Sequence, residues 1–214
     1  MNVRLPIFPL PEVTLFPHTL LPLHIFETRY RQMLTDVLAG PKRLAVVGLK
    51  PGFESSYEGK PPVYPVAGAG RIVQWERLPS GRYNILLQGE ERIRIAEELP
   101  TDTLYRLVRA QVLDDVFPSE GADSLNPLVD RVKRSAVALV ELFKRDSGPI
   151  AQALAEAEHA GIVADRAAAA LIPDFELRQH LLETTGVMQR LRRVAEALDH
   201  LLFLMRGQTD SEEP

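Results

Sequence analysis

The sequence predicts an α+β protein, with a strand-rich first part rolled into a small barrel and a helical second part. Three observations predict it. Twelve of the 17 prolines lie in residues 1–100, and 15 of the 21 alanines lie after residue 110. Proline is confined to strand edges and turns, whereas alanine is the best helix former. Apolar residues alternate with polar ones in the first part and recur every three or four residues in the second. The expected division is a β-rich domain over 1–117, a helical bundle over 118–207 and a flexible acidic tail over 208–214. The junction falls in the acidic, turn-rich stretch 114–124, which holds Pro118 and Gly121.

Residues 3–10 and 20–26 read as two proline-punctuated strands, at edges or bulges. Residues 27–38 form a helix, because Tyr30, Met33, Leu34, Val37 and Leu38 follow helical spacing. Gly40 and Pro41 stop it. Residues 43–49 read as a buried strand, and 51–62 as a loop carrying Phe53 and Tyr57. Strands follow at 63–67 and 71–78. The turn Pro79-Ser80-Gly81 then leads back into a strand at 83–88. Ile93 and Ile95 alternate with arginines, as do Val108, Ala110 and Val112 with Arg109 and Gln111. The total is roughly seven or eight short strands, and closure into a barrel would remove their exposed edges.

The second part opens with Asn126 as the expected N-cap and Pro127 at the first helical position. Leu128, Val129, Val132, Ala136, Leu139, Val140 and Phe143 make one apolar face. Shorter helices are expected over 149–160, 162–171 and 174–184, punctuated by Gly161, Pro173 and Gly186. The last helix, 187–205, carries apolar residues at 187, 191, 194, 198, 201 and 205, a heptad seam. A seam this short is expected to pack on helices of the same chain, with a dimer zipper as the alternative.

Composition excludes several function classes. The chain is 45% hydrophobic and 25% charged, with a formal charge of -4, which is not the balance of a dedicated nucleic-acid binder. With no cysteine there is no thiolate nucleophile and no Cys-ligated zinc or iron–sulfur cluster. The longest run free of Lys, Arg, Asp and Glu is the 14 residues 13–26. A bilayer span needs about 20 apolar residues. No signal-peptide pattern is present, so a cytoplasmic location is expected.

Site chemistry is equally sparse. Gly59-Lys60 lacks both the first glycine and the Ser or Thr of a phosphate loop, and Gly68-Ala-Gly70 lacks the third glycine of a dinucleotide fingerprint. There is no Gly-x-Ser-x-Gly elbow. His18, His24, His159 and His180 read as surface or core histidines, so no metal and no cofactor is expected. Glu90 and Glu91 read as a turn, and Glu97 and Glu98 as a strand end, all solvated. Seven arginines in 71–109 face six acids, which favours cross-strand ion pairs over a basic stripe. The few aromatics carry more information. Phe53, Tyr57 and Tyr64, in or beside the long loop, form either a peptide-contact site or a lid on the barrel end. Trp75 is expected in the core.

The run Leu5-Pro-Ile-Phe-Pro-Leu10, then Leu15-Phe16-Pro17, then Leu21-Pro22-Leu23-His24-Ile25-Phe26-Glu27 and Arg29-Tyr30, resembles the Lon N-terminal domain family. So do Gly70-Arg71-Ile72, the hairpin Glu76–Tyr83, Gly89-Glu-Glu-Arg92-Ile-Arg-Ile95, Leu181-Leu182-Glu183 and Arg190-Leu191. Thr28 departs from the proline expected there. The resemblance implies a PUA-like pseudo-barrel followed by a helical bundle, with Phe26 and Tyr30 feeding the core. It also implies the substrate-binding domain of an ATP-dependent protease, here in a stand-alone bacterial form without ATPase or Ser–Lys peptidase modules. The expected function is therefore a non-catalytic polypeptide-binding or adaptor module. Its expected peptide-binding residues are Phe53, Tyr57 and Tyr64. The expected partner is an unfolded polypeptide or protein client, with a protease in trans as a second partner. A monomer or weak homodimer is expected, with no membrane partner. The alternative is an RNA-binding PUA-like module using barrel-face arginines. A ligand-sensing module and an unrecognised enzyme rank below both.

Overall fold

The computed structural model describes residues 2–57, 59–143 and 145–209, with side chains to residue 206. It divides into two compact units, with the boundary between Asp114 and Asp115.

The first unit holds six strands: β1 (Asn2–Leu10), β2 (Leu20–Ile25), β3 (Arg43–Gly48), β4 (Val66–Arg77), β5 (Tyr83–Leu99) and β6 (Arg106–Leu113). The helix α1 (Thr28–Leu38) lies between β2 and β3 in the chain. Pairing runs β1–β3–β4–β5–β6 and returns to β1, so five strands close a ring. The β1–β3 pair is parallel and the others are antiparallel. β2 attaches to the first half of β5, outside the ring, and has a strand neighbour on one side only.

Two apolar clusters explain this layout. Leu5, Ile7, Ala45, Val47, Ala67, Ala69, Ile93, Val108 and Ala110 come from all five ring strands and fill the ring. The opposite faces of β1 and β3, carrying Phe8, Leu44 and Val46, join Ile72, Ile85 and Leu87 under α1. The apolar stripe of α1, Tyr30, Met33, Leu34 and Val37, is buried there. β3 is therefore buried on both faces, which matches its continuous apolar sequence.

The connector after β1 crosses the wall of the ring. A Cβ at Gly68 would overlap the Leu15 carbonyl, and one at Gly89 would overlap the Phe16 carbonyl. Glycine alone permits that approach. The His18 amide donates to the Gly89 carbonyl at 2.8 Å, and the Gly89 amide to Thr19 at 2.9 Å.

Several expectations change here. The strands number six because the pieces expected at 63–67 and 71–78 are one strand, as are those at 83–88 and 93–95. Glu90 and Glu91 lie inside β5 and not in a turn. Arg43 bridges them at 2.8 and 2.6 Å, and Arg71 reaches Glu90 at 2.8 Å. Trp75 is 44% exposed, with the Lys42 ammonium 4.2 Å from its ring centroid. The last five residues of β4, Val73 to Arg77, are all exposed, so the indole lies on the uncovered end of the strand.

The second unit consists of α2 (Asn126–Leu142), α3 (Gly148–Ala155), α4 (Ala160–Leu171), α5 (Phe175–Glu183) and α6 (Val187–Thr209). Val187, Leu191, Val194 and Leu198 are fully buried, and α6 packs on α2 and α4 of the same chain. Asn126 lies inside α2 and makes no side-chain cap, because a short 3₁₀ turn (Ala122–Leu125) feeds the helix directly. Asp174 does cap α5, accepting from the Leu177 amide at 2.6 Å. Phe143 is exposed, since it follows the last turn of α2. Of the expected tail, Gln208 and Thr209 belong to α6, and 210–214 lie outside the described residues.

Candidate functional site

The loop between β3 and β4 is closed at its base. Leu49 bridges Val63, the Lys50 amide donates to the Pro62 carbonyl at 3.0 Å, and the Tyr64 amide donates to Gly48 at 3.0 Å. Tyr64 is half-buried at this base. A 3₁₀ turn (Phe53–Ser56) puts Phe53 and Tyr57 on one side, with ring centroids 6.0 Å apart.

Tyr57 is then tied to the start of α1. Its hydroxyl donates to Glu27 Oε1 at 3.0 Å, and its carbonyl accepts from Arg29 Nη1 at 3.1 Å. The Arg29 guanidinium sits 5.2 Å from the Tyr57 ring centroid and 4.7 Å from that of Tyr30. It also pairs with Glu27, at 2.9 Å from Nη2 and 3.0 Å from Nε. Burial pushes the Tyr57 phenol above its ordinary pKa, helped by the hydrogen bond to Glu27 and its charge. Burial likewise raises Tyr30, to about 12, although the Arg29 charge works against it. For Arg29, burial disfavours the charge, but Tyr30, Glu27 and Tyr57 together outweigh it and the pKa rises. The guanidinium is thus a fixed cation and part of the wall.

A cleft of about 580 Å³ opens beside this cluster, lined by Phe26, Glu27, Thr28, Arg29, Tyr57 and Leu104. Phe26 is 57% exposed and Leu104 61% exposed. Phe26 therefore does not feed the core as expected. Ile25 takes the last buried position of β2, and alternation turns the next side chain outward. Of the three aromatics expected at a peptide site, Tyr57 lines the cleft, Phe53 is ring-paired with Tyr57 and is not among the lining residues, and Tyr64 stays at the loop base. Sequence reading gives no site role to Phe26, which it places in the core, or to Leu104, because 78 positions separate them and each reads locally as an ordinary apolar residue.

Four of the seven arginines of 71–109 are taken up by cross-strand ion pairs or by burial. Arg106 pairs with Glu98, Arg109 with Glu97 and Arg71 with Glu90, and Arg92 is buried. Among the described residues, no group of three or more His, Asp or Glu is placed to hold a metal ion. No described helix is long and apolar enough to cross a membrane.

A sequence model of the ATP-dependent protease La (LON) substrate-binding domain matches residues 4–200. The chain is 26% identical over 201 residues to a Lon protease of Desulfosudis oleivorans, covering 94% of this chain and 24% of that one. It is 29% identical over 198 residues to a Lon protease of Solibacter usitatus, covering 92% of this chain and 24% of that one. The chain thus spans about a quarter of the length of these relatives. Among solved structures, the N-terminal domain of the Mycobacterium avium complex Lon protease superposes with a TM-score of 0.72 at 17% identity, over 92% of this chain and 98% of that one. A Lon N-terminal domain protein from Xanthomonas campestris gives 0.63 at 19% identity, over 90% and 96%. The fold is thereby shared, and the match along the chain shows that this protein belongs to the Lon substrate-binding domain family.

Proposed function

We propose that this protein captures unfolded polypeptide without catalysis of its own, in the cleft between α1 and the loop that carries Tyr57. The observation that carries the reading is the pair of exposed apolar side chains, Phe26 and Leu104, on one cleft in a domain of a substrate-binding family. Apolar surface held open beside fixed polar groups suits a client's exposed apolar side chain. Tyr57 forms one wall, Phe53 supports it, and Tyr64 anchors the loop. β2 runs directly into Phe26 and has one unpaired edge, so an extended client can add main-chain hydrogen bonds there. In this reading the captured chain passes to a protease in trans, in the cytoplasm.

The test is fluorescence anisotropy of a labelled unfolded polypeptide titrated with the whole protein, with a folded polypeptide and single-stranded RNA in parallel. Selective binding of the unfolded chain is expected. Phe26→Ala with Leu104→Ala should weaken it roughly 5- to 30-fold, the effect of losing one or two half-buried apolar anchors. Unchanged affinity in that variant would overturn the cleft as the site. Salt-sensitive RNA binding in place of polypeptide binding would overturn the reading as a whole.

A further inference from the structure

We propose that the cleft selects a client segment in which an acidic side chain accompanies the apolar anchor. This rests on the capture reading and adds the charge of the client. A second cleft, of about 240 Å³, lies along α1 and is lined by Thr28, Arg31, Gln32, Thr35, Arg77, Gly81 and Tyr83. Thr28 lines both clefts, so the two adjoin at the start of α1. Gln32 ties them together, because its Oε1 accepts from the Leu104 amide at 3.0 Å. An apolar end with Phe26 and Leu104 therefore continues into a cationic end with Arg31 and Arg77.

The two guanidiniums differ from the glutamate-paired arginines of this unit. Arg29, Arg43, Arg71, Arg106 and Arg109 each pair with a glutamate. Among the described residues, Arg31 and Arg77 have no carboxylate partner, and no Asp or Glu lines their cleft. Arg31 lies against the β4–β5 turn, where a Cβ on Gly81 would stand 2.7 Å from its Nη2. Arg77 sits 6.0 Å from the Tyr83 ring centroid. The acid that lines the adjoining cleft, Glu27, is already held by Arg29 and the Tyr57 hydroxyl. Two guanidiniums in one cleft repel each other, and a carboxylate between them relieves that repulsion with charge-assisted hydrogen bonds. Thr28, Thr35 and Gln32 add polar groups beside it. An internal segment laid along the β2 edge offers a side-chain carboxylate, so an aspartate or glutamate is the occupant.

The protein's overall charge makes the test sharp. With a formal charge of -4, long-range attraction favours a basic peptide, whereas this site favours an acidic one. The experiment uses three peptides of equal length, blocked at both ends, sharing one apolar core flanked by Glu, Gln or Lys. The whole protein is titrated into each, as wild type, Arg31→Gln/Arg77→Gln and Arg31→Lys. The acidic peptide should bind the wild type about tenfold more tightly than the neutral one, the effect of one well-formed charge-assisted pair. The preference should vanish in the double variant and survive in part in Arg31→Lys, which keeps the charge. Circular dichroism checks that each variant folds. Equal binding of the acidic and neutral peptides would overturn the acidic preference and leave capture standing. A preference that persists in the double variant, or that appears only with a free C-terminal carboxylate, would also overturn it. Failure of all three peptides to bind would overturn capture itself.

Discussion

Replacing Arg190 with Met should be among the most damaging single changes in the helical unit. Arg190 is fully buried. Its Nη2 donates to Asp115 Oδ2 at 2.7 Å, its Nε lies 3.0 Å from Asp165 Oδ1, and its Nη1 donates to the Thr184 carbonyl at 2.8 Å. The Asp165 side chain is 2% exposed and the Asp115 side chain 17%. Methionine fills much of the same volume, so cavity formation is a small part of the cost. The larger part is a buried carboxylate left without its cation, about 3–5 kcal/mol. For a domain of this size that corresponds to a fall in Tm on the order of 15–30 °C. Urea unfolding followed by far-ultraviolet circular dichroism reports the helical unit directly. Adding Asp165→Asn to Arg190→Met should recover part of the loss, because it removes the stranded charge. A loss below about 1 kcal/mol, or a double variant worse than the sum of its parts, would refute the argument.

Further outcomes follow from other features. Gly161→Ala should also destabilise the helical unit in urea, since its Cβ would overlap Asp115 Oδ2 and stand 3.0 Å from Arg190 Nη2. Gly68→Ala should abolish or severely weaken folding of the β-rich unit, because the Leu15 carbonyl it would strike is backbone and cannot rotate away. Stability should fall as pH rises from about 10 to about 12. In that window the unfolded chain ionises Tyr30 while the native one holds it neutral, and below it the phenol is neutral in both states. Tyr30→Phe should remove that part of the slope, and native tyrosinate absorbance should appear late. Trp75, the single tryptophan, should be readily quenched by iodide, and Lys42→Ala should reduce this by removing the cation 4.2 Å from the ring centroid. Quenching as weak as that of a buried indole would contradict its placement.

How much was legible in the sequence depended on how local each signal was. The stripe of α1 and the seam of α6 repeat within a few turns, so periodicity alone located both. The heptad pattern could not show that Arg190, one position from Leu191, turns into the same buried face. A charged residue reads as solvated until Asp115 and Asp165 are brought to it from far along the chain. The continuity of β5 is hidden for a similar reason. Gly89-Glu90-Glu91 has the composition of a turn, but its glycine makes room for the crossing connector and its glutamates meet Arg43 and Arg71 on other strands. At the candidate site, Tyr57 stood out as a loop aromatic. Phe26, Leu104, Arg31 and Arg77 gain meaning only when β2, α1 and the later turns converge.

The pairing of β1 with β6 has a consequence for synthesis on the ribosome. β1 gains its first strand partner when β3, residues 43–48, is available, but its second edge waits for residues 106–113. At a translation rate of about 5–20 residues per second, that edge stays open for roughly 5–20 seconds. Its apolar residues, Leu5 and Ile7, are both destined for the ring interior. The nascent chain thus presents the kind of surface that chaperones bind, and the ring cannot close before its last strand emerges. Conditions that slow elongation between β3 and β6 should therefore lower the soluble yield of this protein more than equal slowing after residue 114.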